Sequence, residues 1–235
     1  MLSKNIVVVG GTQGIGRSIV DKLVSEGHNV IVFSRQPHDI VENNQLRHVP
    51  IDIITDDMDS DQLPENIDGL VYCPGSIVLK PFKSISEAQF LEDFNINVLG
   101  AVKSIKACLN GLKKSDKHPS IVLFSTVAVQ QGMPFHASIA TAKGAIEGLT
   151  RSLAAELSPT IRVNAIAPSL TQTSLAGKLL STPEKIEAAG QRHPLKSVGQ
   201  PEDMAHLAIY LLSEGGRWMT GQILHLDGGM SSVRV

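Results

Sequence analysis

Cysteine is scarce: Cys73 and Cys108 are the only two in 235 residues. Two thiols make no disulfide framework and suit a reducing cytosol. An excess of one charge sign is missing too, since 21 basic and 23 acidic residues leave a formal net charge of −2. That balance speaks against nucleic acid or an anionic membrane as the main partner. No apolar run reaches the roughly 18–20 residues that a spanning helix needs. Met1 to Asn5 leads straight into the first apolar stretch, so no signal peptide is expected. Repeats, linkers and low-complexity tracts do not occur. The expectation is a soluble cytoplasmic protein with no nucleic-acid and no membrane partner. What is present, 42% hydrophobic and 19% charged residues, is ordinary for a globular chain able to bury a full core. An α/β chain of this length is routinely one domain, so residues 1–235 are expected to form a single unit.

The stretch Ile6 to Gly16, IVVVGGTQGIG, organises the rest. Ile6 to Val9 has the β-branched composition of a strand buried on both faces. Gly10, Gly11, Gly14 and Gly16 follow, and then a helical apolar period at Ile15, Ile19 and Leu23 that should stop at Gly27. Strand, glycine turn and helix in this order open a dinucleotide-binding unit. Glycines let the backbone approach a pyrophosphate, and the helix N-terminus offers free N–H groups. Further strands are expected at Asn29–Ser34, within His48–Ile53 and at Asp68–Tyr72, Ser120–Phe124, Ile161–Ala167 and Gln222–Leu226. Between them, long helices are expected from Ser86 to about Lys113 and from Ser138 to Leu157, with another at Pro201–Leu212. Ser169–Pro194 has the look of a mobile, substrate-shaping insertion whose own helix starts at Thr182-Pro183. This alternation predicts an α/β fold: a Rossmann-like, doubly wound parallel sheet of about seven strands with helices on both faces. Ligands then sit at the carboxyl ends of the strands.

Several motifs stand at those ends. GGTQGIG runs from Gly10 to Gly16, DGLVYCPG from Asp68 to Gly75 and INVLG surrounds Asn97. TAKGAIEGL holds Lys143, IRVNAIAP ends at Pro168, and MTGQILHLDGG spans Met219–Gly229. Together they resemble the short-chain dehydrogenase/reductase family along essentially the whole chain, most closely its 3-oxoacyl carrier-protein reductases. The resemblance implies a dinucleotide site made by Gly10, Thr12, Gln13, Gly14, Ile15, Gly16, Ser34, Arg35, Asp52, Ile53, Pro74, Gly75, Asn97, Lys143, Pro168 and Thr173, and no metal. Thr173 matches the residue that contacts the nicotinamide amide. Departures are Gly10 for a threonine, both asparagines of the D-x-L-V-N-N-A-G pattern, and Ser169 for a glycine. An acidic residue after the second strand would favour NAD(H). Ser34-Arg35 stands there instead, and a guanidinium suits a 2′-phosphate, so NADP(H) is favoured over NAD(H). The alternative for Arg35 is a solvated loop charge, and for Asp52 a strand-end cap.

The catalytic pattern departs most. The family places a tyrosine four residues, one helical turn, before its lysine, and a serine on the preceding strand. Here Lys143 is preceded at that spacing by Ile139, which carries no proton, and the serine position holds Thr126 beside Ser125. The only tyrosines, Tyr72 and Tyr210, stand elsewhere. The expected catalytic set is therefore Asn97, Ser125, Thr126 and Lys143. His136 is the tentative proton donor, and Ser138 either a second candidate or a helix cap. Met133, Phe135, Leu175 and Leu179 line an apolar pocket or pack a loop. The leading expectation is NADP(H)-dependent reduction of a small carbonyl or 3-oxoacyl-type substrate by a homotetramer or homodimer. The competitor is a catalytically silent dinucleotide-binding sensor or scaffold.

Overall fold

The computed structural model describes residues 3–234. Seven parallel strands form one sheet: β1 (Asn5–Val9), β2 (Asn29–Ser34), β3 (Leu46–Pro50), β4 (Gly69–Tyr72), β5 (Ser120–Phe124), β6 (Arg162–Pro168) and β7 (Ile223–Leu226), in the order β3-β2-β1-β4-β5-β6-β7. The doubly wound sheet expected from the alternation is thus present. Side chains alternate across it. Val7 and Val9 point into one core with Ile105, Leu112 and Ile146, whereas Ile6 and Val8 point into the other with Ile19, Leu23, Met204 and Ala208. Both faces are covered, so the strands are apolar throughout. α3 (Gly100–Lys114) and α5 (Ala137–Leu157) cover the first face, and α1 (Gly14–Ser25) and α7 (Pro201–Leu212) the second. α2 (Glu87–Phe94), α4 (Ala128–Gln131) and α6 (Pro183–Gly190) complete the helices. Among the described residues, no helix is long and apolar enough to cross a membrane.

Strand order reverses at β1, which pairs β2 on one side and β4 on the other. The carboxyl ends of β1 and β4 therefore open one crevice, the position at which such sheets bind ligands. Gly10 (φ 74°) and Gly14 (φ 53°) turn the chain from β1 into α1. A Cβ on Gly10 would press on the Pro74 ring at 3.0 Å, and one on Gly16 would collide with the Gly10 carbonyl oxygen. The turn tolerates no side chain at either position.

Three elements differ from expectation. The helix expected from Ser86 to about Lys113 is interrupted: α2 passes through a π turn at Asn95–Leu99 into α3. Two side chains take carbonyls in this stretch, Asn97 Nδ2 donating to Asp93 O at 2.8 Å and the Tyr72 hydroxyl to Ile96 O at 2.5 Å. Ser86 does cap α2, accepting from the Gln89 N–H. The third strand starts earlier and ends at Pro50, because Ile51 N makes the last bond to Ser34 O and Asp52 N turns back onto the Asp56 carboxylate. Ile51 and Ile53 stay buried beyond the ladder, which is why their apolar pattern looked like strand. The segment after β6 extends past Pro194. It carries α6, capped by Thr182, closes on a Thr171–Gly199 bridge and has a small cluster of Ala176, Leu180, Ala189 and Val198.

Overpacking a fitted turn typically costs 1–3 kcal/mol, and here the obstacle is backbone. Gly16→Ala is expected to lose about 3 kcal/mol, read as a lower urea midpoint at unchanged slope.

Candidate active site

Two clefts meet at the carboxyl edge of the sheet. The first, about 780 Å³, is lined by the glycine turn, Ser34, Arg35, Asp52, Ile53, Pro74 and Gly75. The second, about 560 Å³, is lined by Ser76, Thr126, His136, Ile139, Lys143, Ser169 and the apolar side chains Ile77, Met133, Leu175 and Met230. Ile15, Cys73, Gly75, Thr173 and Leu175 belong to both. Thr173 also faces Gly14, where an added Cβ would meet its methyl at 3.2 Å. The segment after β6 therefore folds over the glycine turn, and Pro168 stands at its base in the second cleft.

The first cleft is rich in unspent donors. Gln13 precedes α1 without a side-chain cap, so the N–H groups of Gly14, Ile15 and Gly16 are free for an anion. Thr12 is buried beneath the turn. Arg35 is exposed and forms no ion pair among the described residues. Ser34 is committed, its hydroxyl lying 2.8 Å from Gln36 O and 2.9 Å from His48 Nε2. Asp52 behaves partly as the strand-end cap: its Oδ1 accepts from Ile54 N at 3.0 Å.

At the junction stands Lys143. It is largely buried in the wall of the second cleft, and its Nζ makes no hydrogen bond among the described residues. Burial pulls its pKa down from 10.5 to about 8, against the opposing influence of Cys73 and Asp93. Asn97 is fully buried, donating through Nδ2 to Asp93 O and to Ser76 Oγ, while its Oδ1 has no partner. A Cβ on Gly75 would lie 3.3 Å from that orphan oxygen and 3.6 Å from Lys143 Nζ. One glycine therefore leaves open a space edged by an acceptor and an ammonium.

The neighbouring hydroxyls sort themselves by partner. Ser125 is buried and donates to Glu147 Oε1 at 2.8 Å, while Arg151 Nη2 holds the other carboxylate oxygen at 3.2 Å. Its proton is spent away from the cleft. Thr126 Oγ1 only accepts, from Ala128 N at 3.3 Å, which leaves its own proton free. Ile139 occupies the cleft wall and offers nothing polar. His136 Nδ1 lies 2.7 Å from Pro134 O, so that nitrogen carries the hydrogen and Nε2 is an acceptor in the neutral ring. Ser138 is a donor to Asp93 Oδ2 at 2.5 Å, not a helix cap.

Sequence reasoning missed Asp93. Its buried carboxylate takes hydroxyls from Ser76 and Ser138 and sits four residues before Asn97. An acid three residues after Phe90 and four before Asn97, on the face turned inward, was the available signal. His193 was missed as well: it is 2% exposed and 2.8 Å from Ser169 Oγ. No periodic signal links residues 24 apart through an irregular segment.

Comparisons with known proteins agree with this fold. A family model described as enoyl-(acyl carrier protein) reductase matches residues 9–231. The chain is 29% identical over 238 residues to L-xylulose reductase of Bos taurus, with 97% of each covered. Ligand-free aldohexose dehydrogenase of Thermoplasma acidophilum superposes with a TM-score of 0.86 at 28% identity, over 99% of this chain and 97% of that one. The structure of ElxO with NADP bound gives 0.86 at 25% identity, over 99% and 100%.

Burial of Lys143 has a signed cost. Below about pH 8 the folded chain carries a buried ammonium, whereas the unfolded lysine holds its proton freely up to its ordinary 10.5. Between those values the unfolded chain binds more protons, so wild-type stability rises with pH. Lys143→Met is expected to be about 3 kcal/mol more stable than wild type at pH 7. Urea midpoints should show that lead shrinking between pH 8 and 10.5.

Proposed function

The chain belongs to the short-chain dehydrogenase/reductase family, and from that premise we propose that it is an NADP(H)-dependent oxidoreductase reducing a small carbonyl or 3-oxoacyl-type substrate. Members of this family bind nicotinamide dinucleotides, and ElxO was solved with NADP. The observation that carries the reading is the space at Gly75, edged by Lys143 Nζ and the orphan Asn97 Oδ1 where the two clefts meet. A buried acceptor without a partner and an ammonium turned to the cleft with no hydrogen bond among the described residues both suit a polar ligand, and ribose hydroxyls supply donor and acceptor together.

In this reading each residue has one task. Gly10, Thr12, Gln13, Gly14, Ile15 and Gly16 shape the turn that takes the pyrophosphate at the start of α1. Asp52 and Ile53 flank the adenine. Arg35, with no carboxylate to satisfy, meets the 2′-phosphate, and Ser34 braces the loop that carries it. Pro74, Gly75, Pro168 and Thr173 border the nicotinamide, with Asn97 and Lys143 on its ribose. A reduced nicotinamide, when bound, supplies hydride to the carbonyl carbon. Thr126 donates to the carbonyl oxygen as negative charge develops there. Ser125, tied to Glu147, positions the strand end rather than the substrate. Ile77, Met133, Leu175 and Met230 favour an apolar body on the substrate. His136 stands at the cleft wall and gives a proton only when doubly protonated.

The same reading includes a cytoplasmic setting, in keeping with two free thiols, and a homodimer or homotetramer. Trp218, 96% exposed on the single chain, fits a covered position in such an assembly. Ile139 favours one competitor, a dinucleotide-binding protein of this family without turnover.

NADPH oxidation across a panel of aldehydes, diketones, 3-oxoesters and ketoses separates the two. Turnover that Lys143→Ala lowers by at least about a hundredfold supports the enzyme, whereas silence on the whole panel with tight NADPH binding supports the competitor. For the cofactor, Arg35→Glu is expected to weaken NADPH about tenfold or more and leave NADH nearly unchanged. Equal wild-type affinities for the two, measured by fluorescence titration, would remove the role assigned to Arg35.

A further inference from the structure

Resting on the oxidoreductase reading, we infer that Ser169 and His193 are the proton-transfer pair of the reaction, supplying to the substrate oxygen the proton that Ile139 cannot. Ser169 directly follows β6 and lines the same cleft as Thr126, Ile139 and Lys143. Its Oγ is 2.8 Å from His193 Nε2, and His193 Nδ1 is 3.0 Å from the Ala189 carbonyl of α6. A carbonyl can only accept, so Nδ1 carries a hydrogen in every state of the ring. In the neutral ring Nε2 therefore accepts the Ser169 hydroxyl proton. Hydroxyl, imidazole and orienting carbonyl stand in the order that an activated hydroxyl requires.

The imidazole itself is shut off from solvent. It is 2% exposed, and a Cβ on Gly228 would touch the His193 Cβ at 3.4 Å and its ring at 3.6 Å. Among the described residues, the only other partner of Ser169 Oγ is Met230 Sδ at 3.4 Å, a weak acceptor. The charged groups on surrounding elements are Arg192 beside it, Lys185 and Glu187 on α6, and Asp227 next to Gly228. Asp227 spends its carboxylate on the N–H groups of Gly229 and Ser231. None of these forms an ion pair with His193 among the described residues, so no fixed counter-charge locks the ring in one state.

Protonation of Nε2 reverses the bond: Nε2–H donates to Oγ, and the hydroxyl proton turns toward the cleft. In reduction, the carbonyl carbon accepts hydride from the reduced nicotinamide dinucleotide and the π pair moves onto oxygen. That oxyanion takes the Ser169 proton, and Oγ takes the Nε2 proton. The ring is left neutral with Nδ1–H still on Ala189, and alcohol oxidation runs the same transfers backwards. His136 lacks this arrangement, being half-exposed with its ring tied to Pro134 two residues away.

The test uses the full-length protein and the carbonyl compound from the panel that turns over fastest. Wild-type kcat/KM for reduction should fall about tenfold per pH unit on its alkaline limb, since the imidazolium is the acid form. Ser169→Ala and Ser169→Gly should each lower kcat about a hundredfold or more, leave NADPH affinity unchanged and flatten that limb. His193→Gln should do the same where its thermal midpoint shows it folded. Ile139→Tyr placed in Ser169→Ala should restore turnover, which a merely damaged cleft would not. Independently of activity, the Nε2 resonance of His193 in nitrogen-15 spectra should shift on Ser169→Ala. The pair is overturned if Ser169→Ala stays within twofold of wild type, or if the pH limb survives it and vanishes in His136→Gln. Absence of Lys143-dependent turnover sinks the oxidoreductase reading and the pair with it. Lys143-dependent turnover indifferent to Ser169 sinks the pair alone.

Discussion

An ammonium group set into the wall of a cleft, with no hydrogen-bond partner among the described residues, is the constraint around which this molecule is arranged. Charge is seldom buried unpaired, because the desolvation cost exceeds what most folds can bear. Here the cost is met by two complete hydrophobic cores on opposite faces of one parallel sheet. Lys143 sits on α5, whose inner face packs on the sheet, so its side chain is held at the wall of the cleft. A side chain at Gly75 opposite it would crowd the Asn97 amide oxygen, and Asn97 keeps its amide turned to Asp93 and Ser76. Each of these restrictions serves a space, not a contact within the chain.

A second layer of polar groups surrounds that space and divides its labour by direction. Ser125 and Ser138 look alike in sequence to Thr126 and Ser169, yet the first two donate to buried carboxylates and the other two do not, although Ser125 also lines the cleft. Asp93 and Glu147 are thus organisers of the wall, each absorbing hydroxyls that would otherwise compete for a substrate. The π turn between α2 and α3 belongs to the same device, since Asn97 and Tyr72 draw carbonyls out of the helical ladder. Such turns are frequent at functional sites.

Most of the scaffold was legible before any coordinates. Buried parallel strands announce themselves as β-branched runs, and glycine, proline and capping residues punctuate them, so β2, β5 and α7 fall where the pattern puts them. The π turn was not legible because one extra residue per turn leaves an apolar stripe almost continuous. The end of β3 was not legible because Ile51 and Ile53 are buried without being paired in the sheet. For the proposed site, the glycine turn and Arg35 could be singled out from their places after strands, and Asn97 and Lys143 only through the resemblance of their motifs to a family. Which hydroxyl faces the cleft could not, since that depends on partners distant in the chain such as Glu147 and His193. Ser169 stood out only as a departure from a pattern, with nothing to say that a histidine 24 residues later would meet it.

The segment between β6 and α7 has its own small core of Ala176, Leu180, Ala189 and Val198, detached from the two cores of the sheet. In most respects that makes it an exchangeable module, free to drift in sequence and so to retune which molecules the cleft admits. Ala189 complicates the exchange, because the residue that anchors the module also supplies the carbonyl that orients His193. Selectivity and proton supply are therefore inherited together. A lineage that replaced the module wholesale would change its substrate and its acid–base chemistry in one event.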